Sequence, residues 1–71
     1  MASHMIARLK IRQQVAPRTN DIQYTLDAVR SWTALPLPAD VLDPITRAAA
    51  ALEQAKAELA AALDAANAWE I

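Results

Sequence analysis

The chain contains no glycine. At an ordinary usage of about 7%, a chain of this length would carry about five. Glycine is the residue that reaches positive φ without strain, so primed β-hairpin turns and glycine-dependent phosphate loops are excluded. The backbone must reverse by other means. Proline is the remaining punctuation, and it is most concentrated in Leu35-Pro36-Leu37-Pro38. Each of these prolines pushes its predecessor into an extended conformation and offers no N–H, so the segment is a stiff connector that cannot be helical.

After the connector the sequence reads as one long helix. Asp40 or Asp43 can serve as N-cap, Pro44 fits a first turn where its missing N–H costs nothing, and Asp43 can pair with Arg47 at i+4. From there to Ala68 nothing interrupts a run of Ala, Leu, Glu, Gln and Lys, the strongest helix formers. Ile45, Leu52, Leu59 and Ala66 recur every seven residues, with Ala48, Ala55, Ala62 and Trp69 as an adjoining row and Leu42, Ala49 and Leu63 widening the stripe. Such a stripe is a seam for packing against helices.

Upstream the pattern differs. Between Ala7 and Val15, apolar Ala7, Leu9, Ile11 and Val15 alternate with Arg8, Lys10, Arg12 and Gln14, the period of a half-buried strand. A helical reading groups Met5, Ile6 and Leu9 but puts Ile11 and Val15 on the other side. The strand is the favoured reading, the helix its alternative, and Pro17 ends the segment in either case. Asn20 and Gln23 then form a capping box that opens a short helix over about residues 20–33, with Ile22, Leu26 and Val29 on its apolar face. The expected fold is mainly α: a short N-terminal strand (or helix), a short helix, a Pro-rich connector and a long Ala-rich C-terminal helix.

Met1-Ala2-Ser3-His4 followed by Met5 reads like a cloning scar, because Ala-Ser and His-Met are what common restriction sites encode. Residues 5–71 are then a single small interaction domain. A chain this short buries only about 60% of the surface its unfolded form exposes. It has no Cys for a disulfide and only His4 as a histidine, so oligomerisation is the stabilising device that remains. Geometry points the same way: a helix over residues 40–68 is about 43 Å long, whereas a compact domain of this size has a diameter of roughly 29 Å. Self-association is therefore expected.

The formal net charge of −1 conceals a polarity along the chain. Arg8, Lys10, Arg12 and Arg18 form a basic head without acids, and residues 39–71 are predominantly acidic. Such asymmetry can attract a nucleic acid or let the head of one copy meet the helix of another; the plain alternative is two solvated faces.

The residues for catalysis are missing. Hydroxyls are scattered, no His stands beside them, and Asp40 with Asp43 are better placed for capping than for acid–base work. No cluster of His, Cys or closely spaced acids forms a metal site, and no cofactor motif is present. The chain is expected not to be an enzyme, to carry no cofactor or metal and to bind no small-molecule substrate. No apolar stretch approaches the ~20 residues that span a bilayer, so a cytoplasmic protein without membrane contact is expected.

Trp32, Trp69 and Tyr24 are the only aromatics. Large aromatics anchor interfaces, which makes Trp32 and Trp69 candidate partner contacts beside Ile45, Leu52, Leu59 and Leu63. The alternative for Trp32 is that it caps a small core beside the connector.

On a strand, Arg8, Lys10 and Arg12 share one face, and two such strands paired across a dimer would make a basic ribbon able to enter a major groove. In that order of strand, helix and helix the chain resembles the ribbon-helix-helix repressors. It departs from them in the inter-helix turn, where Leu35-Pro36-Leu37-Pro38-Ala39-Asp40 presents apolar and acidic residues, and in a second helix about twice as long. Trp32-Thr33-Ala34-Leu35-Pro36 is also similar to the Trp-Thr-x-Leu-Pro segment of phage tail-fibre assembly chaperones, which a helix follows there too. The leading expectation is a protein–protein interaction or assembly module that packs its long amphipathic helix against another chain, its own copy included. A dimeric DNA-binding regulator using Arg8, Lys10 and Arg12 is the alternative, and a phage-type assembly chaperone or small inhibitor protein the third.

Overall fold

The computed structural model describes the backbone of residues 2–69 and the side chains of residues 5–69. The reading of residues 1–4 as a cloning scar concerns side chains outside that range, as do Glu70 and Ile71. Two helices, α1 (Ala2–Trp32) and α2 (Ala39–Ala68), lie antiparallel as a hairpin. The molecule is 54 × 15 × 15 Å, a single layer of two rods, with no third element among the described residues to cover either side. None of the described helices is long and apolar enough to cross a membrane.

The N-terminal strand is corrected: residues 7–15 are helical, and the short helix begun at Asn20 is the second half of α1. The physical reason is a question of partners. A strand leaves its N–H and C=O groups to another strand, and none is present among the described residues. A helix satisfies those groups locally. The apolar periodicity had been disguised by two arginines, because Arg8 and Arg12 sit where the stripe continued by Val15, Thr19, Ile22, Leu26 and Val29 would otherwise be apolar. Steps of three and four residues run through all of these positions, which is the seam of a two-helix coiled coil.

Pro17 does not end the segment; it lies inside α1. Its missing N–H leaves the Gln13 carbonyl without its intrahelical donor. Both residues are exposed on the outer side of the hairpin, so water can take the donor's place.

The start of α2 is also corrected. Its N-cap is Pro38, at φ −66° and ψ 156°, and no side chain caps it. Asp40 stands in the first turn, where its charge meets the positive end of the helix dipole, and Pro44 lies inside the helix.

The connector behaves as the prolines require, and it reverses the chain without any positive φ among the described residues. The last carbonyls of α1 are taken up locally: the Thr33 amide (3.1 Å) and hydroxyl (2.7 Å) both donate to Arg30 O. The Leu35 amide donates to Trp32 O at 3.1 Å and the Leu37 amide to Leu35 O at 2.8 Å. Hydroxyl and turn bonds thus do the work that a left-handed glycine does at other helix ends. Leu37 is half-buried, whereas Leu35 is exposed.

The core is a line between two rods. Val15, Leu26, Val29 and Ala66 are the buried hydrophobic residues, with Leu26 at 0% exposure. Leu42, Ile45, Ala49, Leu52, Leu59 and Leu63 are half-buried on the facing side of α2. The expected overhang of the long helix also fails, because it assumed a compact sphere with a radius of gyration of about 11 Å. The observed value is 16.4 Å, and α1 runs beside α2 for most of its length.

Candidate interaction face

Three contacts between the helices fix which flank of one meets which flank of the other. Near the connector Arg30 forms an ion pair with Glu53. In the middle the Lys56 ammonium donates to the side-chain amide oxygen Oε1 of Gln23. At the open end Arg8 reaches across, its Nε donating to Ala66 O at 3.0 Å and one terminal nitrogen to Asn67 O at 3.1 Å. Gln23 and Arg30 are seven apart on one flank of α1, and Glu53 belongs to the row Thr46, Glu53, Ala60 and Asn67 on one flank of α2. That edge of the hairpin is polar and bridged.

By the same spacing the opposite edge joins Ile11, Arg18, Thr25 and Trp32 of α1 to Val41, Ala48, Ala55, Ala62 and Trp69 of α2. The α2 row has no polar member. Trp32 (47% exposed) and Val41 (42% exposed) lie at the connector end, and Ile11 and Trp69 at the open end. Ala48 and Ala62 are exposed between them, Ala55 half-buried. On α1 only Arg18 and Thr25 interrupt the apolar strip, and Arg18 is drawn along its own helix to Asp21 at 3.4 Å.

The sequence-derived candidates therefore fall into two groups. Ile45, Leu52, Leu59 and Leu63 face α1 inside the same chain, half-buried. Trp32 and Trp69 lie on the apolar edge, Trp32 exposed rather than closing a core. Sequence reasoning had seen the row Ala48, Ala55, Ala62 and Trp69 but treated it as the margin of one seam. Together with Ile45, Leu52 and Leu59 it forms a second seam on α2, turned to the side of the first, on which Ala48 and Ala62 are exposed.

The basic head does not survive as a single face. At about 100° per residue Arg8 and Arg12 lie on the side of α1 that carries the seam, whereas Lys10 points roughly to the opposite side. Arg8 turns to α2, while Lys10 and Arg12 are exposed. Arg8 places its cation on the carbonyls that close α2, where the helix dipole is negative. Arg8→Gln is accordingly expected to destabilise the hairpin by about 1 kcal/mol, the scale of a partly exposed charged hydrogen bond. Lys10→Gln and Arg12→Gln should each stay within about 0.5 kcal/mol. Urea unfolding of the three single variants checks this; equal effects at all three would show that the clasp has no energetic role.

The described surface has no pocket, so what it offers a partner is an edge rather than a cleft. Comparison with known proteins found no matching family model, no similar curated protein and no similar solved structure, which leaves the fold and its uncovered edge as the basis for a functional reading.

Proposed function

We propose that this chain is a protein–protein interaction module that presents the apolar edge of a helical hairpin to another polypeptide. The observation that carries the reading is the all-apolar row Val41, Ala48, Ala55 and Ala62 beside exposed Trp32, on an edge that neither of the two described helices covers. Small side chains let a partner helix approach closely, and aromatic ends give it anchors. The mechanism is helix-on-helix packing, with the α1–α2 contact supplying a rigid support. The DNA-binding alternative rested on a strand that would bring Arg8, Lys10 and Arg12 to one face; in the helix Lys10 is turned away from the other two, and Arg8 is engaged by the carbonyls of α2. A protein partner in a cytoplasmic assembly fits the edge best.

A photo-crosslinking side chain tests the reading. Placed at Ala48 or at Ala62 in cells that make the protein, it should yield adducts with a polypeptide, and placed at Gln54, on the outer side of α2, it should yield none. Failure at both edge positions would overturn the proposal.

A further inference from the structure

We infer that the partner on the apolar edge is a second copy of this chain, joined as a two-fold dimer in which two hairpins make a four-helix bundle. The inference rests on the interaction-module reading and names the occupant of the same edge.

Surface area is the first argument. The chain exposes 5277 Å². A globular monomer of its mass, 7.7 kDa, would expose about 4,300 Å². The excess is on the order of 1,000 Å². A standard protein–protein interface removes about 800 Å² from each partner. The edge can supply it, since a face 54 Å by 15 Å has a projected area of about the same size. One contact of ordinary extent would bring the hairpin to the exposure of a stable globule.

Charge is the second argument. An isologous contact places each side chain against the same surface of its twin, so a row of like charges would repel itself. The α2 row has no charge at all, and the one cation on the edge, Arg18, pairs with Asp21. Conversely, nothing on this edge offers a charged partner a complement. Arg8 of the basic head is already engaged by the carbonyls that close α2, and Glu53 of the acidic helix by Arg30, within one chain.

Burial is the third. Leu52, Leu59 and Ile45 belong to both seams of α2, and α1 leaves them only half-buried. A helix packed against the second seam would cover their open side. Bundle helices have this arrangement, an apolar stripe wide enough for two neighbours.

The test compares two matched substitutions on α2. Sedimentation equilibrium and thermal melts over a wide concentration range should give a two-chain mass at micromolar concentration and a melting temperature that rises with concentration. Ala57→Glu, on the outer side, should keep that behaviour. Ala62→Glu, on the edge, should weaken association at least tenfold, read either as a one-chain mass or, where the separated hairpin does not hold its structure, as loss of helical circular dichroism at concentrations where Ala57→Glu remains folded. A one-chain mass for the unchanged protein with a concentration-independent melt would overturn the dimer, as would equal responses to the two glutamates. The crosslinking experiment separates the two readings: edge adducts with a different polypeptide, combined with a one-chain mass, retain the interaction module and reject the second copy, whereas no adduct rejects both.

Discussion

Leu26→Ala should cost about 2 to 5 kcal/mol, the range for truncating a fully buried leucine. Leu26 is the largest side chain with no exposure, and the buried set around it is small. In a chain of this size the loss is comparable to much of the total stability, since domains are held by only about 0.05–0.15 kcal/mol per residue. At about 4–8 °C per kcal/mol for a domain this small, the melting temperature should fall by at least about 8 °C. Tyr24→Ala is the internal comparison. Tyr24 is two residues away and 80% exposed, so its removal should change stability by no more than about 0.5 kcal/mol. If the two variants melted alike, the rotation of α1 about its axis would be wrong.

Pro17→Ala should do the opposite and raise stability by about 2 to 3 kcal/mol. Proline in a helix interior is about 3 kcal/mol less favourable than alanine, and the stiffening it gives the unfolded chain returns only about 0.4–1 kcal/mol. Position 17 is exposed on the outer side of α1, so the new methyl meets no packing constraint and its N–H regains the Gln13 carbonyl. A gain of about 10–20 °C in melting temperature is expected. The substitution also discriminates between folds. If the chain broke at Pro17, as the alternation of residues 7–15 first suggested, alanine would gain nothing there and would remove a useful stop.

That misreading shows where the sequence was legible. In α2 local propensity, apolar period and helix length agree, and the segment after Pro38 could be read from its residues alone. In α1 they conflict. Leu9 and Ile11 imitate a strand, Pro17 imitates a boundary, and Arg8 and Arg12 occupy seam positions that would have revealed the helix had they been apolar. Arg8 is explicable only with the end of α2 beside it, since its partners are backbone carbonyls near the other end of the chain. The candidate edge was half legible for a related reason: the alanine row is visible in the sequence, but only the register set by Arg30 with Glu53 shows that α1 leaves it open.

The glycine-free connector has a consequence for how the hairpin assembles. Because α1 and α2 touch only each other, the chain separation between facing residues grows steadily from the connector toward the open end. Ordering a long intervening segment costs more chain entropy than ordering a short one, although the increase is slow. Contacts beside the connector therefore form at the lowest entropic cost, and Leu26 and Val29 stand there, whereas the Arg8 clasp closes a far longer loop. Prolines that hold Leu35 and Leu37 extended before any helix forms narrow the set of loop shapes to be searched. The rods then close like a zip from the turn outward, and thermal opening runs the same course backwards, with the ends bearing Ala66 and Asn67 parting first.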